Sequence, residues 1–274
     1  MKFSVLMSVY GKDNSRFFEE ALKSVTVNQT VRPAQVVIVE DGPVPNEIDS
    51  IIESISELIS EVQFCVIKKD TNQGLASALN TGLKECKYEW IARMDSDDIA
   101  CRDRFEKQIN YIKSNKKVAA VGGAIAEFEN RINDINSKRQ VKLKHNEIIE
   151  MMKTRNPMNH VSVMFRKFDV EEIGGYCENF GKLEDYKLWV DLVVAGKELA
   201  NIDDILVNVR VGNGFIERRS EKREIKDWDM LQKYLKEKEL IGPYKAILNS
   251  VSIRMFIYMP CWMKKIAYKM LLRK

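Results

Sequence analysis

Apolar and polar positions follow two alternating periods along the first 125 residues. Short apolar runs at 2–9, 35–39, 62–67, 89–93 and 118–122 predict strands, each too short for a helix and bounded by polar or turn-forming residues. Between them, 16–28, 46–60, 75–86 and 103–114 carry apolar residues at three- and four-residue spacing, the mark of a helix with one buried face. Ile48, Ile51, Ile52, Ile55 and Ile59 form one such stripe. Strands and helices alternating at this short period predict βαβ units and an α/β fold with a mostly parallel central sheet flanked by helices.

From 126 to 215 the pattern is less regular. A strand is expected at His160 to Phe165 and a helix at Asp185 to Ala195, ended by Gly196. A strongly charged helix is expected at 220–239, followed by a tail, 246–272, rich in Ile, Met, Phe, Tyr and Trp. Arg254 and Pro260 interrupt the tail, so the run of about 20 apolar residues that a membrane-crossing helix needs is missing. Lying in a membrane interface suits it better.

Charge sharpens that reading. Residues 245–274 hold seven Lys or Arg and no acid, and without them the net charge of +4 would be negative. A whole-protein affinity for nucleic acid is therefore not expected, whereas a basic, apolar tail meeting an anionic surface is. The 274 residues suffice for one large domain whose core needs no covalent staples, and 45% apolar with 31% charged residues is ordinary for a globular chain. The five cysteines are scattered without C-x-x-C spacing, which disfavours a disulfide framework or zinc site and fits a reducing cytoplasm. Lys2 leads directly into the strand-like Phe3 to Val9, so no secretory leader is expected.

In an open parallel sheet ligands bind beyond the carboxyl ends of the strands. Three polar motifs fall there: Tyr10-Gly11-Lys12-Asp13, Glu40-Asp41-Gly42 and Asp95-Ser96-Asp97-Asp98. The last places three acids in four residues after an apolar run, which calls for a counter-cation; a helix cap needs only one acid. Oxygen-only ligands select Mg²⁺ or Mn²⁺, ions that bridge carboxylates to nucleotide phosphates. Asp41 either accepts hydrogen bonds from a base or ribose or makes a turn with Gly42 and Pro43. The small-residue face of Asn72 to Gly82 suits either close approach of a nucleotide or tight helix packing with Asn72 as cap. Glu184-Asp185 opens an amphipathic helix, as a second carboxylate site able to supply a base or as acids favoured by the helix dipole. His145 and His160 are the only histidines and neither lies near a nucleophile-like turn, which weakens hydrolase readings. His160, after Asn156-Pro157-Met158-Asn159, either faces the crevice or is structural.

Six blocks in this order, Ser8-Val9-Tyr10, Val39-Glu40-Asp41-Gly42, Asn72-Gln73-Gly74-Leu75-Ala76, Arg93-Met94-Asp95-Ser96-Asp97-Asp98, Asn156-Pro157 with His160, and Glu184-Asp185-Tyr186-Lys187-Leu188-Trp189, carry a resemblance over residues 1 to about 212. The chain resembles the inverting glycosyltransferases of family 2, with the GT-A fold, and more closely the bacterial O-antigen and exopolysaccharide enzymes. Ser8 stands where many members carry proline, and Glu40 replaces the first of a common Asp pair. The resemblance implies a GT-A domain over 1–215, with 1–125 binding the nucleotide sugar and 126–215 facing the acceptor, and a helical region over 216–274. It implies that Tyr10 and Asp41 contact uracil, with Asn72 and Arg93 close to the nucleotide. It likewise implies that Asp95 and Asp97 form the DxD element at ribose and metal-diphosphate, with Mn²⁺ or Mg²⁺, and that Asp185 is the base. Glu184, His160 and Asp98 are further candidates. The Gln-x-x-Arg-Trp element of processive synthases is absent, so one sugar per encounter is expected.

The implied reaction transfers galactose or glucose from a UDP-sugar to a lipid-linked saccharide such as GlcNAc-diphosphoundecaprenol, at the inner face of the bacterial cytoplasmic membrane. Two other readings are open at this stage. A metal-dependent nucleotidyltransferase would show a loop rich in glycine and basic residues after the first strand, where Tyr10 to Asn14 is poor in both. A non-catalytic, membrane-tethered binder of nucleotide sugars would not need the second carboxylate site.

Overall fold

The computed structural model describes residues 1–129, 132, 134–212, 224–260 and 262–264. The four expected N-terminal strands form as β1 (Phe3–Val9), β2 (Gln35–Glu40), β3 (Gln63–Lys68) and β4 (Trp90–Met94). They alternate with α1 (Ser15–Ser24), α2 (Asn46–Leu58) and α3 (Leu75–Glu85). A two-residue β5 (Ile99–Ala100) precedes α4 (Arg104–Ser114) and the long β6 (Val118–Phe128), which runs well past the expected 118–122.

Alternation along β1 assigns its two faces. Val5, Met7 and Val9 join the cluster with Phe18 and Leu22 of α1, Ile48, Ile52 and Ile55 of α2, and Phe105 of α4, while Leu6 joins Leu79 and Leu83 of α3 on the other face. The isoleucine stripe of α2 is buried as its spacing predicted, each fully buried side chain contributing about 1.5–3 kcal/mol.

The second half adds β7 (Ile135–Arg139), α5 (His145–Met152), β8 (Met164–Arg166), α6 (Lys167–Glu172), α7 (Glu184–Val194) and β9 (Glu198–Arg210). The nine strands make one sheet in the order β3-β2-β1-β4-β8-β6-β9-β5, with β7 paired to β6. β1 pairs parallel with β2 and β4, β2 with β3, and β6 with β9, whereas β8 is antiparallel to both β4 and β6, β7 to β6, and β5 to β9. Six strands therefore run one way and β5, β7 and β8 oppose them.

Two local expectations are corrected. His160 to Phe165 is not a strand throughout: His160–Ser162 winds into a 3-10 turn closed by Ser162 N donating to Asn159 O at 2.8 Å, and only then does β8 begin. The thirteen-residue β9 has no counterpart in the pattern reading. Its register on β6 jumps from Gly123 opposite Ile202 to Ala124 opposite Ile205, so Asp203 and Asp204 are looped out of a strand that is otherwise paired.

The charged helix is α8 (Glu224–Glu237); the part of the expectation at 220–223 lies outside the described residues. α8 packs Leu231 and Leu235 into the second core cluster. α9 (Pro243–Tyr258) leans on it, and the tail at 265–274 again lies outside the described residues. Among the described residues no helix is long and apolar enough to cross a membrane.

Candidate active site

Where β4 ends, the chain must turn with Asp95, Ser96, Asp97 and Asp98 in succession, and three neighbours hold that turn. Ser96 Oγ donates to Asp13 Oδ2 at 2.7 Å, and the same oxygen accepts from Tyr10 N at 3.2 Å, so the segment after β1 is tied to the segment after β4. Asp98 is buried, and its Oδ1 accepts from Arg210 N at 2.8 Å at the end of β9. Arg210 also reaches Asp97 O at 3.2 Å and Glu20 at 2.7 Å, with its guanidinium over the rings of Phe17 and Phe128 at 3.9 and 4.7 Å. Asp98 thus serves as a latch between strands, while Asp95 pairs with Arg93.

Crowding like charges has the expected result. Partial desolvation, then the charges of Asp95 and Asp13, push the Asp97 carboxyl up to about 6, and Asp13 is raised mainly by burial. Repulsion of this kind is what a divalent cation relieves, and the donors are all oxygens. Among the described residues no three His, Cys, Asp or Glu side chains converge as a ready-made cage. The residues fit an ion held by one or two carboxylates and completed by phosphates and water, which is the usual habit of Mg²⁺.

Behind the turn lies Arg93, 2% exposed, with one Nη bound to Asp95. Its Nε and other Nη are buried with no hydrogen-bond partner among the described residues. A buried guanidinium with unused N–H groups is costly unless something anionic completes it. Arg104, itself fully buried, donates to Arg93 O at 2.8 Å from the back.

The second carboxylate site lies within electrostatic reach of Arg93 and Asp95. Burial first, then the Asp185 charge, push the Glu184 carboxyl up to about 7, with Arg93 pulling it down and Asp95 pushing it up. Asp185 is also raised by burial, against the lowering effect of Asn156, Tyr186 N–H, Arg139 and Arg93. The charges of Asp95, Arg93, Glu184 and Asp185 therefore act on one another, and all four act on Tyr176. Asn156 Nδ2 donates to Asp185 Oδ2 at 2.6 Å, and Tyr186 N donates to Oδ1 at 2.6 Å. Asn156 is set by Met158 N on its Oδ1 and by Arg139 on its carbonyl oxygen. Glu184 differs: its Oε2 is buried and unpartnered among the described residues.

His160 Nε2 sits 2.9 Å from Tyr176 Oη, and burial together with the Arg93 charge drives its pKa well below the ordinary value. It is a neutral imidazole here. Its partner is positioned by Asn80 of α3, whose amide bonds Tyr176 N and O at 2.8 Å each. The other histidine, His145, accepts from Leu199 N at 3.1 Å, a structural contact.

Two nucleotide-side candidates are engaged within the protein. Asp41, 3% exposed, accepts from Gln73 N and Gly74 N at 2.9 and 2.8 Å and pairs with Lys69 at 3.2 Å, while Asn72 Nδ2 donates to Asp41 O at 3.1 Å. Asn72 thus anchors the turn and does not cap α3, which has no side-chain cap; Asp41 ties down the loop just before it. Gly42, at φ +86°, lets Asn72 approach, since a Cβ there would lie 2.7 Å from Asn72 N. Tyr10 is exposed at the carboxyl end of β1, and Glu40 keeps Oε1 buried without a partner among the described residues. The small face of α3 is packing: a Cβ on Gly82 would meet Leu6 Cδ1 at 2.3 Å.

Asp13 and Glu40 lie in motifs that the pattern placed at the carboxyl ends of the strands, whereas Asn80, Arg139 and Tyr176 carried no such signal and are assembled only by tertiary contacts.

The sheet thus carries an acidic turn at the carboxyl end of β4, with Glu184 and Asp185 within electrostatic reach of Arg93 behind it. The chain belongs to glycosyl transferase family 2, whose profile matches residues 4–174. It is 41% identical over 233 residues to an uncharacterized glycosyltransferase of Haemophilus influenzae, covering 85% of each chain. It is 37% identical over 218 residues to the UDP-Gal:alpha-D-GlcNAc-diphosphoundecaprenol beta-1,3-galactosyltransferase of Escherichia coli, covering 80% of this chain and 77% of that one. The fold matches the mannosyltransferase PcManGT of Pyrobaculum calidifontis, solved with GDP-Man and Mn²⁺, at a TM-score of 0.64 and 15% identity, over 97% of this chain and 79% of that one. The GT-A expectation stands, and the nucleotidyltransferase reading is set aside.

Proposed function

We propose that this chain is an inverting glycosyltransferase that moves one hexose from UDP-galactose or UDP-glucose to a lipid-linked acceptor, GlcNAc-diphosphoundecaprenol. The product is β-linked, and the reaction belongs to O-antigen or exopolysaccharide repeat-unit synthesis at the inner face of the bacterial cytoplasmic membrane. The observation that carries the reading is that Arg93, ion-paired with Asp95 at the acidic turn, keeps two buried N–H groups without a partner among the described residues, while its charge also pulls the Asp185 pKa down. The Escherichia coli relative supports the choice of donor and acceptor.

In this reading the uracil meets Tyr10 and the Glu40–Asp41 strand end, with Asn72 beside it. The unused N–H groups of Arg93 receive a diphosphate oxygen. A Mn²⁺ or Mg²⁺ ion held by Asp95 and Asp97 would supply positive charge against the leaving diphosphate. Asp185, oriented by Asn156 and the Tyr186 N–H, takes the proton from an acceptor hydroxyl as its oxygen attacks the anomeric carbon. The new C–O bond forms opposite the breaking bond to UDP, so an α-linked donor gives a β-linked product. His160, neutral and held by Tyr176, lines the acceptor side without competing for that proton.

The test is UDP release from each UDP-sugar, with and without the lipid-diphosphate GlcNAc acceptor, in wild type and Asp185→Asn. Transfer is lost in the variant while UDP-sugar binding persists. Equal turnover of variant and wild type would rule out Asp185 as the base, and no acceptor-dependent release with either donor would rule out the substrate pair.

A further inference from the structure

Helix α9 buries Ile257 against the protein but leaves most of its apolar side chains outside. The side chains it turns toward the protein include polar ones that are satisfied there: Asn249 Nδ2 donates to Lys153 O at 2.8 Å and to Gln232 Oε1 at 2.7 Å, and Arg254 grips Asp229 of α8 through bonds of 2.9 and 2.5 Å. Its outward side chains are apolar. Tyr244, Ile247, Val251, Met255 and Tyr258 are 80%, 64%, 45%, 66% and 64% exposed, and Trp262 just beyond the helix is 65% exposed. Their spacing of three or four residues places them on one stripe, about 21 Å long from Tyr244 to Tyr258 at 1.5 Å per residue. The polar interruption, Ser252, turns its hydroxyl back onto Leu248 O at 2.8 Å and so makes no demand on water. Soluble monomers seldom leave such a continuous apolar strip uncovered.

We propose that this outward face of α9 docks onto a bilayer leaflet rich in anionic lipid. The charge around the stripe selects that occupant. No acid follows Glu239, and seven Lys and Arg lie between 245 and 274, Arg254 among them paired with Asp229. A second copy seated on the stripe would bring two such basic segments together, which like-charge repulsion opposes; anionic headgroups complement them. Tyr244, Tyr258 and Trp262 suit the headgroup level, where an amphipathic ring has one wet edge. With no described helix fit to cross, α9 lies in the plane of the interface. The inference deepens the membrane side of the proposed function and is independent of which sugar is moved.

The experiment uses the full chain and flotation with vesicles, either equal parts phosphatidylglycerol and phosphatidylcholine or phosphatidylcholine alone. Wild type floats with the anionic vesicles and is released by salt. The triple variant Ile247→Ser, Val251→Ser, Met255→Ser loses about tenfold or more in binding while its melting temperature and UDP-sugar binding are unchanged. As a conservative second arm, Trp262→Phe retains flotation and loses the blue shift of tryptophan emission that wild type shows on adding vesicles. Undiminished flotation of the triple variant overturns the proposal, and so does a wild-type dimer that becomes monomeric in the variant with vesicle binding intact. Flotation without any acceptor-dependent transfer would sink the substrate reading and leave the docking surface standing.

Discussion

Glu184→Gln isolates the energetic consequence of the buried acidic pocket. The carboxyl is 9% exposed and raised from 4.5 to about 7 by burial and by Asp185. At 1.36 kcal/mol per pH unit, that interval corresponds to at most about 3 kcal/mol of native-state penalty on the charged form. The sign follows from proton counting. Between 4.5 and about 7 the folded chain holds a proton that the unfolded chain has released, so stability falls as pH rises through that window, and the penalty is complete above it. Glutamine keeps the shape and removes the charge. The variant should match wild type near pH 4.5, where Glu184 is protonated, and exceed it by up to about 3 kcal/mol near pH 8. Urea unfolding of both proteins across this range, in chelator, measures the difference directly. A stability gap that does not grow with pH would refute the claim that an uncompensated carboxylate sits in this pocket.

Asp97→Ala should abolish the Mn²⁺-dependent part of UDP-sugar binding in calorimetry; an identical metal dependence would disprove its place at the donor. Asn156→Ala removes the 2.6 Å bond that lowers the Asp185 pKa, so the acidic limb of the pH–rate profile should move to higher pH and kcat should fall more than KM rises. An unmoved limb counts against Asp185 as the titrating base. Gly82→Ala forces a Cβ to within 2.3 Å of Leu6 Cδ1 and 2.9 Å of Val39 Cγ2, costing about 1–3 kcal/mol by overpacking, and an unchanged melting temperature would contradict that packing.

The first half of the fold was legible because β1, β2 and β4 are buried on both faces and their helices bury one, so apolar runs and stripes stand out, while β3, at the sheet edge, kept its apolar run though only half-buried. β9 was hidden by Asp203 and Asp204, whose charges break the run and whose bulge lets the pairing tolerate them. In the site, the acidic turn and Glu184-Asp185 were visible as local clusters. Their electrostatic link through Arg93 was not, since it depends on tertiary contacts between the two halves of the sheet. Likewise nothing local ties Asn80 to Tyr176, which are joined by two hydrogen bonds across 96 positions.

The place of Asp41 has a consequence for how this scaffold treats phosphate. Many α/β proteins seat a pyrophosphate on the bare amides of a glycine-rich loop and the helix it leads into. Here the Asp41 carboxylate already holds the loop amides of Gln73 and Gly74 just ahead of α3, and Asn14 holds that of Phe17 in α1. An incoming polyanion meets a resident carboxylate at the loop before α3 and is directed instead toward Arg93 and the acidic turn, so affinity for it should respond to divalent ions more than in proteins that rely on peptide amides alone.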